Sequence, residues 1–183
     1  MFVQTKSDLN KYFLSLTYDD LSLIPTQVSA LKSRNEAVTN SQFLGLNLSV
    51  PVLSSPMDTV TGIEMAKELS KLGCLGILNR FDSSLDEILS DEVEGDGIKA
   101  VSIALSTELR IIEKLASKQY VICLDTANAN NKEVLQKTYE IKKRFDSKII
   151  IGNVAHGSTL EQLESSGADA VRVGIGGGSV CTT

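Results

Sequence analysis

Apolar residues recur along this chain in six short runs that are separated by amphipathic segments. The runs occupy residues 50–53, 75–78, 100–104, 120–124, 149–151 and 170–173. Within each run the apolar side chains are mostly consecutive, which is typical of parallel strands that are covered on both faces. The hydrophobic pattern therefore predicts six buried, parallel β-strands.

The segments between the runs have the period and the end signals of α-helices. Thr61 and Glu64 have the spacing of a capping box, while Gly73 and Gly167 stand where a helix would end. A stripe at helical spacing, predicted to face the core, consists of Val134, Thr138, Ile141 and Phe145. Strands that alternate with helices in this way predict an α/β fold.

A (β/α)8 TIM barrel accounts for this alternation better than an open, doubly wound sheet. No glycine-rich dinucleotide fingerprint follows the first predicted strand, which weakens the doubly wound alternative. Eight strands close such a barrel in about 250 residues, so six βα units predict an incomplete barrel that ends in the loop after the sixth strand. We expect a single partial barrel domain over residues 1–183, with an N-terminal arm at about 1–49.

Composition narrows the possible partners and the compartment. The chain is 42% hydrophobic and 22% charged, as in ordinary globular proteins, and its net charge of −5 argues against binding to nucleic acid. No apolar run is long enough to cross a membrane, so no membrane partner is expected. Cys74, Cys123 and Cys181 have neither disulfide nor metal-ligand spacing, which favours the reducing cytoplasm.

The strongest chemical signal is the segment G-I-G-G-G-S-V-C-T-T at residues 174–183, here called the cysteine loop. Glycines let several peptide dipoles approach one another, and such dipoles stabilise the thiolate that makes a cysteine nucleophilic. Cys181 is therefore the candidate nucleophile, while Cys74 and Cys123 are expected to pack in the core. A loop cysteine without a catalytic role and a dyad of Cys181 with His156 remain alternatives.

Polar residues also follow several other predicted strands, at residues 54–58, 79–80, 125–128 and 152–153. In a (β/α)8 barrel the carboxyl ends of the strands surround one active-site mouth, so these residues are expected to converge there. Asp125 could instead be an ordinary turn residue at the end of a strand.

Five motifs in consistent order resemble the IMP dehydrogenase/GMP reductase family. They are L-T-Y-D-D-L at 16–21, S-S-P-M-D-T-V-T at 54–61, G-I-L-N-R-F at 76–81, G-N-V at 152–154 and the cysteine loop. The segments L-K-S-R at 31–34 and C-L-D-T-A-N at 123–128 are more similar to GMP reductases. The regulatory CBS insert of IMP dehydrogenases is missing, because only 20 residues separate Arg80 from Val101.

This resemblance implies the N-terminal two-thirds of a catalytic barrel and an NADPH-dependent reductive deamination of GMP to IMP through a covalent cysteine thioimidate. It also implies a K⁺ ion, a purine nucleotide (GMP or IMP) as substrate and a homotetramer when complete. An IMP dehydrogenase that lacks CBS domains and an inactive fragment that needs the rest of the barrel are the alternatives.

The resemblance also assigns roles to residues of this chain. Cys181 and Thr183 would be catalytic, and K⁺ would bind the backbone carbonyls of Gly176, Gly178 and Cys181. Cofactor contacts would come from Ser33, Arg34, Arg80, Asp125, Thr126, Ala127, Ile175 and Gly176, with Ser33 and Arg34 serving a neighbouring subunit. Substrate contacts would come from Ser55, Met57 and Ser179. Asn79 departs from the family's usual histidine, and Gly177 replaces its usual proline or serine.

Overall fold

A computed structural model describes residues 22–25, 28, 30–81, 88–89 and 97–174. The chain divides into two compact units, and the described part of the smaller one ends at Ala37. In that unit the Oγ of Ser33 accepts the N–H of Asn35 at 3.3 Å and thereby caps a short 3₁₀ turn at Arg34–Glu36. The described part of the larger unit begins at Val38.

The larger unit contains a parallel sheet whose six strands lie in the order of the sequence. Its strands are β3 (Leu53–Ser54), β4 (Leu75–Leu78), β5 (Ala100–Ile103), β6 (Val121–Asp125), β7 (Ile149–Val154) and β8 (Ala170–Val173). Sequential order without a reversal is the topology of a (β/α) barrel, whereas a doubly wound sheet reverses its strand order. The described strands thus confirm the predicted fold class.

The predicted strands overlap those of the structure, but the run at 149–151 is only the first half of β7, and the first strand is displaced. Residues 50–53 were expected to be extended, but β3 is Leu53–Ser54. Pro51 has no N–H to give to a sheet, and pairing with β4 begins where the N–H of Leu75 donates to the carbonyl of Val52 at 3.0 Å. The first strand therefore starts later and is shorter than its apolar run.

Four described α-helices lie between the strands of the sheet: α1 (Ile63–Lys71), α2 (Leu109–Ser117), α3 (Lys132–Arg144) and α4 (Leu160–Ser165). Gly73 and Gly167 follow α1 and α4 with φ of +71° and +99°, which confirms them as stop signals. The capping-box prediction at Thr61 is wrong, because Gly62 is the N-cap of α1. The Thr61 hydroxyl instead donates to the carbonyl of Ser55 at 2.6 Å.

A β-hairpin that the sequence analysis missed precedes the sheet. Its strands are β1 (Ser41–Phe43) and β2 (Leu46–Leu48), and the turn residues Leu44 and Gly45 have φ of +51° and +84°. Two positive φ values are the geometry of a tight type I′ hairpin turn. This hairpin lies within the segment that had been interpreted only as an arm.

Two apolar cores lie on opposite faces of the sheet. The outer core includes Leu78, Ile103, Leu124 and Ile151 and packs against residues of the helices. The inner core contains Leu48, Leu75, Ile77, Ala100, Val121, Cys123 and Ile150, and the hairpin residues Phe43, Leu44 and Leu46 pack against it. The hairpin therefore covers the amino-terminal end of the barrel interior, which leaves the carboxyl ends of the strands for chemistry.

A glycine in β4 allows close packing of that strand against α1. A Cβ on Gly76 would lie 2.6 Å from the Cα of Ala66. We therefore expect Gly76→Ala to lower the free energy of unfolding by about 1–3 kcal/mol, the usual cost of overpacking. Urea unfolding measures the effect, and Gly157→Ala is the control, because a Cβ there would meet nothing within 4 Å. Equal stabilities of the two variants would contradict the prediction.

Asp169, directly before β8, joins β7, β8 and α3 through charge-assisted hydrogen bonds. Its carboxylate accepts the N–H of Ile149 at 2.8 Å and the ammonium groups of Lys142 at 3.0 Å and Lys148 at 3.1 Å. Burial alone would raise the pKa of Asp169, but these three donors hold that pKa below its usual 3.8.

Asp169→Asn is therefore expected to lower the free energy of unfolding by about 1.5–3 kcal/mol at neutral pH. Because the pKa is lower in the folded than in the unfolded state, the stabilisation is complete well above pH 3.8 and is lost as the pH falls through the folded-state pKa. Urea unfolding of both proteins should show a difference that shrinks in acid. Asp146→Asn, at an exposed position, is the matched control.

Candidate active site

An open cavity of about 570 Å³ lies at the carboxyl ends of the central strands. It is lined by Arg80, Ala104, Leu105, Ser106, Asp125, Thr126 and Glu133. These residues end β6, follow β4, β5 or β6, or belong to the first turn of α3, so three successive βα connections form the cavity. This is the position at which (β/α) barrels carry their active sites.

Asp125 is the electrostatic centre of this mouth. Its side chain is 1% exposed, and its Oδ1 accepts a hydrogen bond from Nη1 of Arg172 at 2.7 Å. The Nε of Arg80 lies 3.5 Å from Oδ2 in an ion pair. The buried carboxylate therefore lies between two guanidinium groups, and each of them offsets part of the cost of burying its charge.

Arg172 reaches Asp125 from two strands away. It lies on β8 and Asp125 lies on β6, so its side chain must cross β7 at Gly152, the register partner of both residues. A Cβ on Gly152 would collide with the Cβ of Arg172. The glycine in G-N-V therefore makes this buried ion pair possible.

Cys123 lies beside the same ion pair, with its Sγ 3.8 Å from Nη1 of Arg172. Burial raises the pKa of the Cys123 thiol to about 11, because the charge of nearby Asp125 adds to burial and Arg172 only partly offsets both. A thiol with this pKa is protonated at neutral pH and is a poor nucleophile. Cys123 is fully buried, as predicted, whereas Cys74 is only partly buried and not a core residue.

Asn79 shapes the loop that presents Arg80. It is fully buried, its Nδ2 donates to the carbonyl of Thr61 at 3.0 Å, and its Oδ1 accepts the N–H of Phe81 at 2.8 Å. The guanidinium of Arg80 stacks over the Phe81 ring at 4.1 Å. The side chain at position 79 thus links the loops after β3 and β4 and orients the arginine that faces Asp125.

The loops after β6 and β7 are joined by backbone hydrogen bonds. The N–H of Thr126 donates to the carbonyl of Gly152 at 2.7 Å, and the N–H of Asn153 donates to the carbonyl of Thr126 at 2.7 Å. The peptide bond between Gly152 and Asn153 is cis. Nδ2 of Asn153 donates to the carbonyl of Gly174, the first residue of the cysteine loop, at 2.6 Å.

Residues 15–183 match the family model described as "IMP dehydrogenase / GMP reductase domain". The chain belongs to the IMP dehydrogenase/GMP reductase family. It is 33% identical to a protein named GMP reductase from Lysinibacillus sphaericus over 91% of this chain and 52% of that protein. It is 34% identical to a GMP reductase from Phytophthora infestans over 92% of this chain and 49% of that protein.

A crystal structure of inosine 5′-monophosphate dehydrogenase from Legionella pneumophila has the same fold. The TM-score is 0.77 at 34% sequence identity, over 93% of this chain and 54% of that one. The chain spans about half the length of the curated relatives that it matches.

Of the site residues that the family resemblance implied, four lie together in the described structure. Arg80, Asp125 and Thr126 line the cavity, and Ala127 follows Thr126 in the loop after β6. Ser55 is exposed and Met57 half-buried in the loop after β3, where the N–H of Met57 donates to the carbonyl of Ser55 at 2.8 Å.

The remaining implied residues either belong to the smaller unit or lie outside the described residues. Ser33 and Arg34 belong to the smaller unit, at the 3₁₀ turn. Those outside the described residues are Ile175, Gly176, Gly178, Ser179, Cys181 and Thr183. His156, the alternative partner of Cys181, is exposed and caps a 3₁₀ turn, with its Nδ1 2.7 Å from the Oγ of Ser158.

The sequence analysis missed Arg172 and four residues of the cavity wall: Ala104, Leu105, Ser106 and Glu133. Arg172 carried a usable signal, because it is a charged residue inside an otherwise apolar strand. In the described ranges no group of three or more His, Cys, Asp or Glu side chains could hold a metal ion. Nor does any helix in the described part of the chain have the length and apolarity to cross a membrane.

Proposed function

We propose that the protein containing this chain is a GMP reductase, which converts GMP to IMP at the expense of NADPH. The observation that carries the proposal is the match of 91% of this chain to a protein named GMP reductase at 33% identity. The mouth described above supports it, because acidic, basic and hydroxyl side chains meet at the carboxyl ends of the strands. The proposed enzyme is a cytoplasmic homotetramer built on a barrel domain without a CBS insert.

The residues present at the mouth fit a nicotinamide cofactor. Asp125 and Arg80 both line the cavity, and the ion pair between Oδ2 and Nε at 3.5 Å contains no hydrogen bond. A carboxylate and a guanidinium in the wall of one cavity suit a ligand that carries both hydroxyl or amide hydrogens and carbonyl oxygens, as ribose and carboxamide groups do. Arg80, Asp125, Thr126 and Ala127 would hold this cofactor together with Ile175 and Gly176, whereas Ser33 and Arg34 would serve the cofactor of a neighbouring subunit.

In the proposed reaction the Cys181 thiolate attacks C2 of the purine, and a C–S bond forms there. The C–N bond to the 2-amino group breaks, Thr183 helps to deliver a proton, and ammonia leaves, so that a thioimidate remains. The bound cofactor supplies the hydride that replaces sulfur at C2. Ser55, Met57 and Ser179 would hold the nucleotide so that C2 meets the thiolate.

The decisive experiment follows nicotinamide absorbance in two mixtures that contain the native-length polypeptide. GMP with NADPH should give steady oxidation of the cofactor and release of ammonia, whereas IMP with NAD should give no reduction. The opposite result would establish IMP dehydrogenase, the second candidate. That candidate is favoured by the TM-score of 0.77 to the Legionella enzyme.

The K⁺ ion implied by the family resemblance has its own test. If carbonyls of Gly176, Gly178 and Cys181 surround a cation, turnover should be several-fold faster with K⁺ than with Li⁺, because carbonyl rings fit the larger ion better. Initial rates at equal ionic strength measure the effect. Equal rates in the two salts would remove K⁺ from the proposal.

A further inference from the structure

Asn153 occupies an irregular position in β7. Its neighbours Gly152 and Val154 pair with Arg172 and Val173, so the register between β7 and β8 shifts at Asn153. An extra residue in one strand turns its side chain out of the regular alternation and often does so beside an active site. The side-chain amide of Asn153 points towards Gly174, the residue that follows β8.

This amide binds the first residue of the cysteine loop. Nδ2 of Asn153 donates to the carbonyl of Gly174 at 2.6 Å, and the N–H of Gly174 donates to the carbonyl of Val154 at 2.8 Å. Gly174 has φ of +111°, a backbone conformation that favours glycine. Both polar groups of Gly174 are therefore held by β7 at the residue where the loop begins.

The backbone of Asn153 is bound to the loop after β6. Its N–H donates to the carbonyl of Thr126 at 2.7 Å, and its carbonyl accepts the N–H of Ala129 at 2.8 Å. Asn153 is thus bonded on one side to the loop of the proposed cofactor contacts and on the other to the cysteine loop. A substitution at position 153 keeps these backbone hydrogen bonds and changes only the side-chain hydrogen bond to Gly174.

We propose that Asn153 is a positioning residue, which fixes the start of the cysteine loop relative to the loop after β6. It acts through Gly174, whose carbonyl accepts the hydrogen bond from its side-chain amide. The kinetic consequence rests on the proposed function, because it assumes that Cys181 reacts with a nucleotide held near the cofactor. The contacts themselves do not depend on that assumption.

Asn153→Asp tests this role at nearly constant shape. An ionised carboxylate cannot donate to the carbonyl of Gly174 and repels it, whereas the backbone bonds of residue 153 are unchanged. At neutral pH we expect kcat to fall about 10–100-fold, as for other residues that orient a reacting group, while the KM values change little. Protonation restores one donor, so the kcat of the variant relative to wild type should recover as the pH falls.

Two further variants make the test specific. Asn47→Asp makes the same chemical change on the exposed face of β2 and should leave both kcat and its pH profile as in wild type. The serine side chain in Asn153→Ser is too short to reach Gly174, and lowering the pH gives it no new donor. The kcat of this variant should therefore stay low at every pH. If the aspartate variant does not fold, the serine variant decides, and thermal unfolding reports on folding in each case.

A second readout separates this proposal from the proposed function. The alkylation rate of Cys181 by iodoacetamide, measured by mass spectrometry of its peptide, should differ at least about threefold between wild type and Asn153→Asp, because thiol reactivity depends on its fixed surroundings. Absence of GMP-dependent NADPH oxidation in wild type would overturn the proposed function alone. Unchanged alkylation together with an unchanged kcat or pH profile would overturn the role of Asn153.

Discussion

Cys181→Ala in the native-length polypeptide is expected to abolish GMP-dependent NADPH oxidation while leaving GMP binding measurable. Loss of a covalent nucleophile typically lowers turnover by several orders of magnitude, because no other group can form the intermediate. Steady-state absorbance gives the turnover, and calorimetry gives the affinity for GMP. The effect should be the largest of any single substitution in the chain.

Cys74→Ala is the matched control for this experiment. Cys74 is a partly buried free thiol between α1 and β4, outside the mouth, and its replacement should preserve turnover. If Cys181→Ala retained wild-type turnover, the covalent mechanism would be excluded. Loss of turnover in both variants would point to a general effect on folding and would equally count against the assignment.

Asp125→Ala should produce the largest loss of stability. The side chains of Asp125 and Arg172 are 1% and 19% exposed, so the substitution leaves a mostly buried guanidinium without its carboxylate. Breaking one side of a buried ion pair costs about 3–5 kcal/mol in the free energy of unfolding. Urea unfolding measures this loss, and Asp146→Ala, at an exposed position, is the control.

The double variant Asp125→Ala/Arg172→Met should recover more than half of that stability, because it removes the uncompensated charge and keeps an apolar side chain over Gly152. Turnover should remain lost, since Asp125 is also a proposed cofactor contact. A double variant no more stable than Asp125→Ala would show that burial of the Arg172 charge is not what destabilises the single variant.

Local sequence patterns predicted the strands of the parallel sheet better than the hairpin that precedes them. The run at residues 170–173 forms β8, as predicted. It contains no turn-forming residue, and its four residues are enough for a buried strand but too few for a typical helix. The hairpin around Gly45 was missed, since its strands have three residues each and its apolar face is recognisable only against the inner core. Short strands carry too few residues to establish a period.

The site was predictable only where residue type and position coincided. Arg80 and Asp125 are charged residues at strand ends, so both could be placed at the mouth from sequence. The pairing of Asp125 with Arg172 joins residues 47 positions apart and depends on the register of two strand pairs. Leu105 carries no chemical signal, and only the course of the chain brings it to the cavity wall.

Because Arg172 crosses over Gly152 to reach Asp125, substitutions at these three positions are coupled. Any side chain at position 152 would push the side chain of Arg172 away from β6, and the carboxylate of Asp125 would lose its closest partner. A lineage could replace the glycine only after shortening residue 172 or neutralising residue 125. Among homologues these three positions should therefore change together, although they are distant in sequence.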